Sequence, residues 1–325
     1  MCIVDSNPTC TINGAQAPAP VKAPGGPHRR SSLQTMSLAG LDTTELLGDI
    51  ETKVEKHFPG ALPSQGILDK VSVTIEARGL TPENTLYAQS VCPDEINHEP
   101  GDITNLFTEY LGEVFHLGGL GGIPFTGKTG FGAYSHHVPE GGHCFILLAP
   151  HIGLDSGCNF GMYDREGQAS AGAACGAAIG ALGYCKACKP LPDLTTAQDD
   201  YQMSYIIHKV HQCKHEILAE TTDNAVQARL AHHMHKVATE MLDKIVSLDF
   251  GGPESTLTIL TGVQINMPEP MEDYFQPLEF YVKEKNGGDT VDLFEQTFGT
   301  RSDHQKNNNT WTTYKDDDGT VFVEC

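Results

Sequence analysis

The sequence predicts an α/β fold with a central, mainly parallel sheet flanked by helices. Two observations lead there. HCFILLAP (143–150) and TLYAQSV (85–91) are short apolar runs with the length of buried strands. The segments between such runs place apolar residues at helical spacing, so strands alternate with helices, as a parallel sheet requires.

Residues 1–38 are rich in Pro, Ala and Gly around APAPVKAPGGP and are expected to be disordered. The globular domain, expected over 39–285, opens with a helix at 41–58. There Leu46, Leu47, Ile50 and Val54 recur at helical spacing behind a Thr43 or Asp42 cap. Residues 66–78 alternate at VSVTI like a strand, but Gly79 suits the position just past a helix end, and helix is preferred. TLYAQSV (85–91) follows as a short buried strand. Asp102 or Thr104 starts a helix over 104–115, with Leu106, Tyr110, Leu111 and Val114 on its inner face. Residues 117–135 read as a long Gly-rich loop, and 143–150 as the clearest strand. SAGAACGAAIGALGYC (170–185) is expected to be a helix of small residues that packs by close backbone approach. Residues 199–248 form two helical pieces broken near TTDN (221–224), followed by a strand at 255–266 and a weaker one at 278–284. The stretch 286–325 is a polar C-terminal extension, poor in core residues.

Charge narrows the partners. Lys and Arg total 21 against 42 Asp and Glu, a formal net charge of −21. Phosphate backbones and anionic lipid repel such a chain, so neither nucleic acid nor a membrane surface is an expected partner. The longest strongly apolar run is FILLA at 145–149, and the Ala/Gly stretch 171–183 is too short to cross a bilayer, so no membrane span is expected. The N-terminal MCIVDSNPTCTINGAQ lacks the apolar stretch of a secretory signal. The ten cysteines are therefore expected to be reduced thiols, some of them metal ligands, in an intracellular protein that is cytoplasmic or organellar (plastid or mitochondrion). Residues 1–41 carry one acid, Asp5, and three bases, Lys22, Arg29 and Arg30, a composition compatible with a weak transit peptide.

One constellation carries chemistry. Cys92 follows the strand ending at Val91, His151 follows the strand ending near Ala149, and Cys175 stands where the small-residue helix begins. In a parallel sheet, side chains just past the carboxyl ends of strands converge on one crevice. A helix N-terminus favours a thiolate there. Two thiolates and one imidazole suit Zn²⁺ and leave a fourth position for water, whose pKa falls to about 7 on the metal. Asp94, two residues past Cys92 in CPDE, can orient the resulting hydroxide. It needs a cation to hold it off the metal, and Arg165, the only Arg between 79 and 228, is the candidate. Ordinary roles compete: buried Cys as small apolar groups, Asp94 in a turn, and Arg165 in a surface pair.

Other motifs are weaker. Gly122 to Thr129 fits G-x-x-x-x-G-K-[ST], the phosphate-cradling loop of nucleotide hydrolases. That mechanism needs a strand before the loop and a helix opening at the Lys. Here a run of glycines precedes the loop, and GFGAY after Thr129 is a poor helix start. Folding over the crevice is the expected role, with Phe125 and Phe131 shaping an apolar pocket. Cys185 and Cys188 are spaced C-x-x-C and, with His208, His211 or Cys213, have the makings of a closed structural zinc site, but no second such pair exists. His98, His136, His137 and His143 are potential proton carriers. HHMH (232–235) reads as a solvated helix face.

Several segments together resemble one family. They are VCPDEIN (91–97), GGLGGIPFTGKTGFGAYSHHVP (118–139), APHIG (149–153), REGQ (165–168) and CGAA (175–178). They are similar to the limiting-CO2-inducible B/C proteins, which include the theta-type carbonic anhydrases of algae and diatoms. The resemblance spans about 60–285. It implies a beta-carbonic-anhydrase-like fold, a homodimer, and one zinc held at the positions of Cys92, His151 and Cys175, with Asp94 as the family's aspartate. The implied function is reversible hydration of CO2 to bicarbonate by a zinc-bound hydroxide, in inorganic-carbon acquisition. Some family members look catalytically silent, so the alternative is a zinc-containing interaction protein of a CO2-concentrating system. One departure stands out: the beta-class signature is C-x-D-x-R, and Ile96 occupies its last position here. The partner of Asp94 must come from elsewhere in the chain, which keeps Arg165 as an inference.

Overall fold

The computed structural model describes residues 43–285, 290–307, 312–315 and 321–324. The segment expected to be disordered, 1–38, and parts of the extension 286–325 lie outside them. The strands are β1 Leu62–Pro63, β2 Thr85–Val91, β3 Val114–His116, β4 His143–Ala149, β5 His151–Gly153, β6 Met162–Tyr163, β7 Gly172–Ala173, β8 Thr256–Asn266, β9 Tyr274–Glu284, β10 Thr290–Asp292, β11 Thr312–Lys315 and β12 Val321–Glu324. The α-helices are α1 Thr43–His57, α2 Ser64–Glu76, α3 Ile103–Leu111, α4 Gly127–Ser135, α5 Gly176–Lys186, α6 Tyr201–Leu218, α7 Asp223–Ile245, α8 Phe294–Phe298 and α9 Asp303–Asn307.

The main sheet runs β1-β9-β8-β4-β2-β3, with β5 also on β8 and β10 on β9. The pairs β2–β3, β2–β4, β4–β8 and β5–β8 are parallel. The pairs β8–β9, β1–β9 and β9–β10 are antiparallel. The centre is therefore parallel, as expected, and one side closes with antiparallel strands.

The unbroken apolar run of β4 has a simple cause, because both of its faces are covered. Cys144, Ile146 and Leu148 point into one core with α4, α5, α6 and α7, and Phe145, Leu147 and Ala149 into a second core with α2 and α3. A third cluster joins Ile50, Val54 and Phe58 of the α1 region to Ile152, Val263 and Ile265.

Four elements differ from expectation. The helix expected over 104–115 stops at Leu111, because Gly112 turns the chain at φ +94°. Val114 then enters β3 beside Tyr87 instead of facing inward from a helix. Within the expected loop 117–135, α4 forms despite its glycines. Phe131 and Tyr134 are buried, and the Tyr134 hydroxyl donates to the carbonyls of Leu86 at 2.8 Å and Phe145 at 3.0 Å, so packing outweighs propensity. The helix expected over 170–185 begins only at Gly176, since Gly172–Ala173 pairs with β6. The weak strand expected at 278–284 is the 11-residue β9. In the extension, Leu293 and Phe294 are buried in the second core.

Candidate metal centre

Three loop-to-element junctions build the site. Cys92 is the first residue after β2, His151 opens β5 after the break at Pro150, and Cys175 is the N-cap residue of α5. All three are buried, and one ligand atom from each lies within 4.8 Å of the others. The two Sγ atoms are 3.8 Å apart.

The Gly-rich loop fits tightly over these junctions. A Cβ on Gly118 would sit 2.3 Å from the Val91 carbonyl oxygen, and one on Gly122 would sit 2.9 Å from Cα of Pro150. Gly122 also has φ +73°, and its carbonyl accepts a 2.8 Å hydrogen bond from Ser90 Oγ. The glycines thus let the loop backbone lie against the two strand ends that carry Cys92 and His151.

The donor set fits a metal ion. His151 Nδ1 bonds to Oδ1 of Asn266 at 2.8 Å. Asn266 commits its amide N–H groups to the Ile96 carbonyl at 3.1 Å and Asp273 Oδ2 at 2.9 Å, so its oxygen must face the histidine and Nδ1 donates. The Nε2 lone pair then points at the cysteines, and that atom is buried with no hydrogen-bond partner. A buried acceptor beside two thiols is a donor set that suits a cation. Burial lowers the His151 pKa, but Cys92, Asn266 and Asp94 together raise it, the response of an imidazole among electron-rich neighbours. The hydrogen bond with Cys92 lowers Cys175, helped by the N–H groups of Ala178 and Ala177. The same bond, with burial, raises Cys92.

Asp94 and Arg165 meet at the edge of this cluster. Arg165 Nη2 donates to Asp94 Oδ1 at 2.9 Å, and its Nε donates to Glu95 Oε1 at 2.6 Å. Asp94 Oδ2 lies 3.7 Å from His151 Nε2. Burial, followed by Glu95, raises Asp94, while the charges of His151 and Arg165 oppose that rise. Arg165 holds Glu95 down to about 2. Glu95 and Asn266 were not anticipated from the sequence. Glu95 stands in CPDE beside Asp94, whereas nothing in VQIN marks Asn266.

Phe131 belongs to the same core as Cys92 and Cys175, with Phe125 packed against it, and His98 is near enough to feel the charge of His151. Phe125 packs on Tyr205, and Phe131 packs on Tyr134 in the first core. His143 bonds Thr256 at the opposite ends of β4 and β8. A helix does open at Lys128, contrary to expectation, but β3 ends at His116, well before Gly122, and Lys128 is exposed. HHMH is no solvated face: α7 is covered on two sides, so His232 and His235 bond Gln276 and Thr261 of the sheet, and His233 bonds the Lys209 carbonyl of α6. Cys213 is disulfide-bonded, which removes it as a ligand for Cys185 and Cys188, while Cys92, Cys144, Cys158, Cys175, Cys185 and Cys188 are free thiols. No helix among the described residues is long and apolar enough to cross a membrane.

Over residues 61–284 the chain matches the family described as limiting CO2-inducible proteins B/C beta carbonic anhydrases. It is similar to the crystal structure of PtLCIB4, a homolog of the limiting CO2-inducible protein LCIB, at 30% identity and TM-score 0.66, covering 75% of this chain and 99% of that one. The H88A mutant of PtLCIB4 matches at 28% identity and TM-score 0.67, covering 75% and 98%. LCIB itself shares the fold at 20% identity and TM-score 0.55, covering 74% and 98%. No curated protein matches the chain.

Proposed function

The chain belongs to the limiting CO2-inducible protein B/C family of beta carbonic anhydrases, and from that premise we propose that it is a zinc carbonic anhydrase interconverting CO2 and bicarbonate. One observation carries the reading: two buried thiols surround an imidazole Nε2 that has no hydrogen-bond partner. Cys92, His151 and Cys175 would hold the zinc. Zinc, when bound, is a Lewis acid that brings the pKa of water to about 7.

The chain's own residues then aim the reaction. Asp94 turns Oδ2 toward the cluster, where it accepts an O–H and fixes the direction of the attacking lone pair. Arg165 grips Oδ1 and keeps the carboxylate from rotating into the ligand set. The second arm of Arg165 is tied to Glu95, so the guanidinium is held from two sides. Ile96, Tyr163 and Ala174, close in the chain to Asp94, Arg165 and Cys175 respectively, form a small apolar cluster, a surface suited to nonpolar CO2. We assign the protein as a homodimer acting in inorganic-carbon acquisition, on family membership.

One observation favours a second reading, a catalytically silent zinc-containing interaction protein. Asp94 Oδ2 lies 3.7 Å from Nε2, and a carboxylate that close would be able to join Cys92, His151 and Cys175 as a fourth ligand if Arg165 released it. Stopped-flow CO2 hydration by zinc-loaded protein decides between them. A rate above buffer supports the anhydrase, and full zinc occupancy with no such rate overturns it.

A further inference from the structure

Behind the candidate ligand His151 runs a buried chain of polar groups that the site itself does not use. Asn266 is fully buried, and so is Gln264 two residues earlier on β8. Both donate to Oδ2 of Asp273, at 2.9 and 3.3 Å, and the Met267 N–H donates to its Oδ1 at 2.6 Å. Asp102 lies close enough to Asp273 for the two carboxyls to interact. Asp102 occupies the N-cap position of α3, yet its side chain makes no cap bond, and its Oδ2 accepts the Glu99 N–H at 2.7 Å. A residue type suited to capping has been turned inward.

This arrangement decides which way an amide points. Asn266 can present either its oxygen or its nitrogen to His151, and only its other partners choose. Two acceptors, the Ile96 carbonyl and Asp273, draw the nitrogen to themselves. The oxygen is left for Nδ1. A proton on Nδ1 leaves Nε2 as the free electron pair, which is the form of imidazole that binds metal. Without the carboxylate at 273, one of the two groups choosing the amide's orientation is gone.

We infer that Asp273 is a positioning residue for His151, acting through Asn266 to set the tautomer that presents Nε2 to the metal. The inference rests on the zinc reading above. It assigns Asp273 no contact with the reacting atoms.

The test uses the full chain as wild type, Asp273→Asn, Asn266→Ala and the double variant, with zinc affinity measured by competition against a chromophoric chelator. An asparagine at 273 keeps the shape but can turn its own NH₂ toward Asn266, so the amide is no longer held one way. Asp273→Asn should weaken zinc by about 10-fold or more, within the range seen for outer partners of metal ligands. Asn266→Ala should weaken it similarly, and the double variant should be no weaker than Asn266→Ala alone. Unchanged affinity in Asp273→Asn, or losses that add in the double variant, overturns the inference. A second readout needs no metal: ¹⁵N correlation spectra of the zinc-free chain, at a pH where imidazole is neutral, report the His151 tautomer. Wild type should carry the proton on Nδ1, and Asp273→Asn should show a mixture. Retention of the pure Nδ1–H form in that variant overturns the inference. Should Asp273→Asn fail to fold, Asp273→Ser, which removes the charge and keeps one oxygen, is read the same way. A wild type that shows the Nδ1–H tautomer and loses it in the variant, yet takes up no zinc, sinks the zinc reading and leaves the orienting role standing.

Discussion

The Sγ atoms of Cys92 and Cys175 stand 3.8 Å apart, although 83 residues separate them in sequence. Nothing but the fold brings them together, and their contact is one thiol on another. Zinc would replace that weak bond with two strong ones. Cys92→Ser and Cys175→Ser should each lower bound zinc from about one per chain to near none, because three protein ligands leave no redundancy. Elemental analysis after dialysis checks this. Chelating the metal from wild type should also lower the melting temperature, since a ligand bound only to the folded state stabilises it.

Arg165 bridges two carboxylates through different nitrogens, Nη2 to Asp94 and Nε to Glu95. A lysine has one point charge and cannot reproduce that fork. Arg165→Lys and Arg165→Ala should both keep zinc and lose at least about tenfold in kcat/KM for CO2 hydration, equivalent to about 1.4 kcal/mol of transition-state stabilisation. Equal zinc content with unchanged kcat/KM would remove Arg165 from the proposed mechanism.

The parts of this site legible in the sequence are those fixed by topology. Cys92 and His151 could be placed because each follows a recognisable strand, and the ends of parallel strands converge. Cys175 could be placed because small residues announce α5. The supporting residues were not legible, since their roles depend on contacts between distant segments. Asn266 sits on the same strand as many apolar residues, and only the register of β5 on β8, with Gly153 beside Asn266, brings it behind His151. The helix α4 was missed because Gly130 and Gly132 oppose a helix locally, while the burial of Phe131 and Tyr134 that favours it is a tertiary effect. The histidines of α7 were misplaced for a related reason. A helix wedged between a sheet and a second helix has little free face, and periodicity does not report how many neighbours a helix has.

Gly118 is predicted to be the most intolerant position of the Gly-rich loop. Its missing Cβ would lie 2.3 Å from the Val91 carbonyl oxygen and 2.5 Å from the Val91 nitrogen, and backbone cannot swing aside as a side chain can. Gly118→Ala should cost about 1–3 kcal/mol, the usual range for overpacking a close-packed site. Urea unfolding measures the loss. Because the displaced backbone leads directly into Cys92, zinc affinity should fall as well. Gly132→Ala is the control: no atom lies within 4 Å of its added methyl, so stability should hold or rise slightly.

Asp102 gives the fold a pH dependence whose sign can be worked out. Burial, together with the negative charge of Asp273, pushes its pKa up to about 8 from an ordinary value of 3.8. Asp273 is likewise raised by burial. A carboxyl that keeps its proton in the folded state and loses it in the unfolded state stabilises the fold fully below the unfolded pKa. That contribution is then lost as pH rises through the folded value. Between about pH 4 and pH 8 the folded chain therefore binds more protons than the unfolded chain, and this pair makes stability fall with pH. The slope from one such group is at most about 1.4 kcal/mol per pH unit. Asp102→Asn removes the titration and keeps the bond from the Glu99 N–H, while its amide can donate toward Asp273. Relative to wild type, this variant should show a flatter decline in urea midpoint from pH 5 to pH 8 and greater stability at pH 8. Parallel curves for the two proteins would mean that Asp102 is ionised in the folded state.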